Sequence, residues 1–434
     1  MSTVTNAAGY LENLVQSWRR PPAASLFWLD QLRAHAMNSV GTLRMPTTHD
    51  EEWRFTDISP LGRLPYPAAR AAPKTQFSDI SHYYLEEAIY RLVFVDGQFA
   101  PDLSNVANKA DAIIGNLSSL ITTHGDTIAR YLGQLAELQN DIFTALNTAF
   151  LHDSACIIIP QNVSVTTPIH LLFISRQKEI TSYPRCLVIA ESGSNVTIVE
   201  DYVTTEQAAY VINSVVEMSL SDTAHVNHIR IQRDNQQAFH IGNCTVALAH
   251  ASQYRSVSIT LGAHISRYNL NVALAGEGAE CTVDGLALIS GHQLADTHTF
   301  IDHAKPHGKS RQLHKCIVDG IAHGVFNGRI MVRPHAQLTD SSQLSRNLLM
   351  TNKARIDTKP QLEIFADDVK CAHGATVGQL DKEEIFYLMS RGLSDLTARN
   401  LLTYAFGGEV IDRIAIPSLK KQLEEIILAR TQIS

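Results

Sequence analysis

The chain has 434 residues, 45% apolar and 18% charged, with a net charge of −7 at pH 7. Its mild acidity argues against nucleic acid as the main partner, because phosphate binding needs a basic face. It has no apolar run of about 18 residues, so no membrane-spanning helix is expected, and its length exceeds one compact core unless that core is elongated or repetitive.

The first residues, MSTVTNAAGYLENLVQSWRR, lack the charged start and apolar centre of a secretory signal. Six cysteines, at 156, 186, 244, 281, 316 and 371, are scattered without C-x-x-C pairs. That excludes a disulfide framework and a four-cysteine zinc site. A reducing, cytoplasmic setting is expected, with most of the thiols as inert core residues. Residues 1–150 read as mainly helical. Apolar residues recur at helical spacing in Asn13–Trp18 and Leu26–Met37. The Pro-rich piece Pro60–Pro73 reads as an irregular linker. RLVFVDG (91–97) reads as a strand ending in a turn. Asp126–Leu151 reads as one helix, with Ile128, Leu132, Leu135, Leu138, Ile142 and Leu146 on one side.

From 151 to 380 the pattern changes to short β runs such as IHLLFIS, NVTIVEDYV, HVNHIRIQ, RSVSITL, ECTVDGLALI and GRIMVRP. Small or turn-forming residues recur at Gly193, Asp222, His250, Gly278, His307 and His335, separated by 29, 28, 28, 29 and 28 residues. A repeat of that length without intervening helices predicts a β-helix or solenoid. A propeller fits less well, since its blades need about 40 residues or more. From 381 to 434 the chain reads as helical again. Glu383–Arg391 stops at Gly392, Ser394 caps Leu396–Phe406, Gly407-Gly408 breaks the chain, and Ser418–Arg430 forms the last helix. Helical regions at both ends are expected to cap the open ends of the solenoid.

Chemistry-bearing residues concentrate near the β-to-helix junction. Cys371 and His373 stand two residues apart, a spacing that puts both on one side of a strand. A thiol and an imidazole suit a soft metal or a sulfur-bearing cluster. They also suit a thiol nucleophile with its base, but no orienting third group or oxyanion site is legible. Gly308-Lys309-Ser310 fails as a P-loop because His303 occupies the position of the required glycine. Seven histidines between 292 and 335 form no HxH or HExxH frame and read as structural. Asp284, Asp296 and Asp302 could serve a carbohydrate-active β-helix enzyme, although nothing in the spacing groups them. Trp53 and Arg54 in EEWRFT read as an anchor for the N-terminal region on the solenoid end.

The run AQLTDSSQLSRNLLMTNKARIDTKPQLEIFADDVKCAHGATVGQLDKEEIFYLMSRGL (336–393), with EEWRFT (51–56) and RQLHKCIVDGIAHGVFNGRIMV (311–332), resembles the SufB/SufD family of the SUF iron–sulfur cluster assembly system. The KCxHGATVG form and the length are closest to its SufD branch. The resemblance covers the chain from about residue 50 onward. It implies a right-handed parallel β-helix flanked by helical regions, acting as a non-catalytic scaffold in a complex with SufB and two copies of the ATPase SufC. SufC would dock on 382–434. It implies that His373 contributes to iron or a nascent cluster at the SufB–SufD interface, with Cys371 as its neighbour, and that reduced flavin belongs only to the whole complex. Competing expectations are a hydrogen-bonded interface role for His373 and simple packing for Cys371. At the level of the chain they are a self-associating, homodimeric metal-binding protein, or the carbohydrate enzyme.

Overall fold

The computed structural model describes residues 4–18, 27–63, 67–69, 75–106 and 112–431. Its centre is a parallel β-solenoid of about eight turns, each turn laying one strand in each of two sheets. The first sheet runs from Gln98–Phe99 and Tyr90–Val95 through Ile169–Ser175, Asn195–Thr204, His225–Arg233, Gln253–Thr260, Glu280–Ile289, Lys309–Val318 and Thr339–Leu349 to Val369–Gly378. The second runs from Ile113–Asn116 through Ala155–Ile159, Arg185–Ala190, Val211–Leu220, Phe239–Leu248, Ile265–Leu274, Leu294–His303 and His323–Val332 to Arg355–Ile364.

Asn195, His225, Gln253, Glu280, Lys309 and Asp340 stack in register, so successive turns advance by 30, 28, 27, 29 and 31 residues. The repeat read from the sequence is therefore real but elastic. Its physical marker is a corner residue in the left-handed region. Gly193, Thr223, Ala251, Gly278, His307 and Leu338 all have φ between 50° and 69°. Each donates its N–H to a carbonyl of the next turn, from Gly193 to Asp222 at one end to Leu338 to Asp368 at the other. Three markers, Gly193, Gly278 and His307, are corner residues, whereas Asp222 and His250 directly precede one. Inside the coil, alternate residues stack in apolar columns such as Val188, Met218, Val246, Val272, Ile301 and Ile330, all buried. Each such side chain contributes about 1.5–3 kcal/mol.

The N-terminal helices are α1 (Val4–Ser17), α2 (Phe27–Thr42), the single turn α3 (Phe77–Ile80), α4 (Leu117–Tyr131) and α5 (Ile142–Ala149). The solenoid starts before residue 151, because Tyr90–Val95 pairs in parallel with Ile169–Ile174. The turn expected after that strand is present, with positive φ at Asp96 and Gly97. Of Pro60–Pro73, residues 60–63 belong to a short 3-10 helix (Ser59–Arg63) and Ala68 bridges to Thr181. Residues 64–66 and 70–73 lie outside the described residues, as does Leu26.

The single helix expected over Asp126–Leu151 is two helices. Gly133 turns the chain with φ +77°. The carboxylate of Glu217, on the second sheet, accepts the N–H groups of Gly133, Leu135 and Ala136 at 2.9, 3.0 and 3.1 Å. Asp141 then caps α5 through the N–H of Phe143. Buried Arg185 pairs with the same Glu217. A long-range acceptor thus takes over backbone bonds that a continuous helix would make internally.

The C-terminal helices are α6 (Lys382–Ser390), α7 (Asp395–Ile411) and α8 (Pro417–Thr431). Gly392, with φ +96°, follows the end of α6, and Ser394 caps α7 through Thr397, both as the sequence suggests. Gly407-Gly408 does not break the chain, since α7 runs through both. A Cβ on Gly407 would sit 3.3–3.5 Å from Ile427, Ile317 and Leu286, so the missing side chain lets α7 approach α8 and the first sheet. Among the described residues the helices lie on the flanks of the sheets rather than over the solenoid ends. Val410, Ile411, Leu419, Leu423 and Ile427 cover the outer flank of the first sheet on Ile229, Ile259, Leu286 and Ile317. Tyr10, Leu14, Val40, Phe143 and Leu146 cover the second sheet on Val211, Phe239, Ile241 and Ile265. No helix among the described residues is long and apolar enough to cross a membrane.

Candidate functional site

Among the described residues the last turn of the solenoid is uncovered. Val369–Gly378 and Arg355–Ile364 each have a neighbour on one side only. Cys371 pairs in register with Ser341, and His373 with Gln343. In Thr339–Leu349 the residues Thr339, Ser341, Gln343, Ser345 and Asn347 are buried in the lumen. The parallel register gives Cys371 and His373 the same inward-facing positions, as their two-residue spacing suggests. Among the described residues no further turn lies over them, and His373 is exposed and Cys371 half-buried. Cys371 packs against the core beside Leu362 and Val369. Burial, and then the charge of Asp340, push its thiol pKa up, against the N–H of Ser341. A protonated thiol is a poor free nucleophile, whereas a metal would displace its proton. Among the described residues no three His, Cys, Asp or Glu side chains are grouped to hold a metal ion. An iron ion held beside Cys371 and His373 would therefore need further donors from outside the described residues.

The lumen behind the pair is polar, which the sequence reading missed. Gln343 donates to Gln312 Oε1 at 2.8 Å, and Gln312 donates to Thr299 Oγ1 at 2.8 Å. Beside them His303 Nε2 contacts Ser310 Oγ at 2.9 Å, and Ser310 contacts Ser341 at 2.6 Å. His303 Nδ1, His314 Nδ1 and Gln343 Oε1 are buried without partners among the described residues. Burial pushes the pKa of His303 and of His314 down to about 4. The available signal was alternation: Ser310, Gln312 and His314, then Ser341, Gln343 and Ser345, put polar residues at positions where a solenoid core wants apolar ones.

The other candidates do not converge. Asp284 pairs with Arg413, Asp296 with Arg267 and Asp302 with Arg333, at 2.5, 2.5 and 2.6 Å. Each acid thus has its own arginine, and they line no common groove. Lys309 lies at a strand start, paired with Glu280 at 2.7 Å. EEWRFT does anchor the N-terminal region, but on the flank of the second sheet rather than on the solenoid end. Arg267 stacks 4.5 Å over Trp53 and donates to the Glu52 carbonyl at 2.7 Å. Thr56 donates to Asp296, and His298 bridges Asp296 and Glu52. Trp53 itself is half-buried rather than buried. The cleft of about 250 Å³ beside it is lined by Glu52, Trp53, Arg267 and His298 with Asn243, Asn269 and Arg329. On α6 only Ile385 is buried, while Phe386, Tyr387 and Met389 are exposed.

A β-solenoid with a two-donor open end and flanking helices describes a class of proteins, and the comparisons say which. Residues 173–406 match the family described as SUF system FeS cluster assembly, SufBD core domain, and residues 11–171 match the SufBD protein N-terminal region. The chain belongs to the SufB/SufD family of the SUF iron–sulfur cluster assembly system, and within it is SufD-like. It is 42% identical over 411 residues to an iron–sulfur cluster assembly SufBD family protein of Synechocystis sp., covering 92% of this chain and 90% of the relative. It is 32% identical to the iron–sulfur cluster assembly protein SufD of Escherichia coli, over 87% and 88% of the two chains. To SufD of Bacillus subtilis it is 26% identical, over 96% of each.

Proposed function

We propose that this chain is the SufD-type scaffold subunit of a cytoplasmic SufB–SufC–SufD complex, without chemistry of its own. In this reading a SufB-type partner docks on the open last turn. His373 supplies an imidazole to iron or a nascent cluster held between the two subunits, and Cys371 stands beside it as a second donor. The metal is cargo, built there and passed on. The observation that carries the reading is that an imidazole and a thiol, His373 and Cys371, share one face of the terminal turn. Imidazole and thiolate both suit iron, and a site completed by a partner opens when the subunits move. SufC docks on the C-terminal helices, where Phe386, Tyr387, Met389 and Leu401 leave an apolar surface. Its ATP-driven motion reaches the site through α6, which follows the Cys371–His373 strand directly.

The test is the complex purified anaerobically with its partners, with iron and sulfide assayed on it. His373→Ala is expected to leave the complex and its melting temperature unchanged while bound iron disappears. Normal cluster yield in that variant would sink the assignment. A self-associating chain is the second reading, favoured by the apolar residues Ile364, Phe365 and Val377 exposed at the same end. A homodimer that ignores added SufB would support it over the scaffold.

A further inference from the structure

We infer that Gln343 is a positioning residue for His373: its side-chain oxygen accepts one ring N–H of His373 and so turns the other ring nitrogen outward through the open end of the solenoid. The inference rests on the reading of His373 as a ligand. Gln343 is 2% exposed and lies directly beside His373 on the neighbouring strand. Its amide nitrogen is committed, donating to Gln312, which is itself anchored on Thr299. That donation fixes the orientation of the amide and leaves Oε1 as a buried acceptor with no partner among the described residues. A buried polar atom without a partner is costly. His373 is the exposed side chain one strand spacing away, about 4.8 Å, so rotation of its ring about χ brings an N–H within reach.

The lumen is shaped for this arrangement. Gly328 faces Gln343 across the coil, and a Cβ there would lie 2.2 Å from Gln343 Nε2. The glycine therefore makes room for the glutamine to lie across the lumen. A metal-binding histidine is held in one tautomer by the hydrogen bond that its other nitrogen makes. Gln343 supplies an acceptor that does not change charge, while Gln312 and Thr299 hold it in place. The proposed ligand would then be oriented before any partner or metal arrives.

The tautomer can be read without metal. Full-length chain carrying ¹⁵N-labelled histidine is compared by NMR with His373→Ala, which identifies the His373 ring signals by subtraction. One neutral tautomer is expected in the wild type, a mixture in Gln343→Leu, and one tautomer again in Gln343→Glu, which keeps the acceptor. Gly328→Ala, which displaces Gln343 while leaving its amide, is expected to give the mixture too. Identical tautomer populations in wild type and Gln343→Leu would overturn the inference. In parallel, Co²⁺ is titrated into the full-length chain. Gln343→Leu is expected to weaken binding about 10-fold or more, and unchanged affinity would overturn the positioning role. If His373→Ala binds Co²⁺ as tightly as wild type, the ligand reading fails by itself, and the NMR result still decides the hydrogen bond.

Discussion

His303 and His314 are neutral imidazoles inside the lumen, each with one ring nitrogen lacking a partner. Burial pushes each folded-state pKa down to about 4, against about 6.5 in an unfolded chain. Below pH of about 6.5 the unfolded chain therefore binds protons that the folded chain refuses. Stability falls as pH drops from about 6.5 toward 4 and is unaffected by these groups above that window. The loss amounts to about 2 kcal/mol per histidine at pH 5, as an order of magnitude. Urea unfolding at pH 7, 6 and 5 is expected to show a falling midpoint, and His314→Leu a shallower fall. Parallel curves for the two proteins would contradict this account. These histidines also mark the limit of reading residues from sequence. Cys371 and His373 could be placed on one face because strand alternation alone decides it. That His303 and His314 stand inside the lumen, while His298 and His323 face outward to pair with Glu52 and Asp357, depends on register. Register is set by corners whose spacing varies from turn to turn.

At the scale of elements the sequence went wrong where long-range contacts overrule local preference. The periodicity of Asp126–Leu151 is helical, yet Glu217, some eighty residues later, takes the N–H groups of Gly133, Leu135 and Ala136 and holds a turn. The glycine pair in α7 failed in the opposite direction. Two glycines normally weaken a helix by about 1 kcal/mol each, but packing on the first sheet keeps α7 continuous. Lys315 reinforces it, donating to the carbonyl of Phe406 at 2.8 Å and pairing with Glu409 at 2.5 Å. The two glycines differ in their surroundings, and this gives opposite predictions. Gly408 has nothing within 4 Å of a built Cβ, so Gly408→Ala is expected to stabilise by about 1 kcal/mol. Gly407 faces Ile427, Ile317 and Leu286, so Gly407→Leu is expected to cost about 1–3 kcal/mol through overpacking and to speed amide exchange in α7 and α8. Thermal melts and hydrogen exchange check both. A stabilised Gly407→Leu would mean that α7 does not need its close approach.

For the whole molecule, the two ends of the solenoid are built differently, and the difference gives the coil a direction. At the N-terminal end each sheet finishes in a short antiparallel strand, Gln98–Phe99 of two residues and Ile113–Asn116 of four. Short strands of that kind blunt an edge against further pairing. At the C-terminal end the sheets finish in strands of ten residues each, Arg355–Ile364 and Val369–Gly378, with one row of backbone groups facing outward. Pro360 removes one donor from the first of these, but the second has no such block. Helices that could have covered this end lie on the flanks instead. In the proposed complex the open end is the one that receives a partner, SufB or, in the second reading, another copy of this chain. Phe365 and Val377, 62% and 47% exposed there, are the apolar contacts such a partner would bury. Phe365→Lys with Val377→Lys is expected to leave the melting temperature unchanged and to weaken association tenfold or more, at least about 1.4 kcal/mol, by analytical ultracentrifugation with and without SufB. Association at wild-type strength in that double variant would move the interface away from the open turn and remove the proposed source of further donors beside His373.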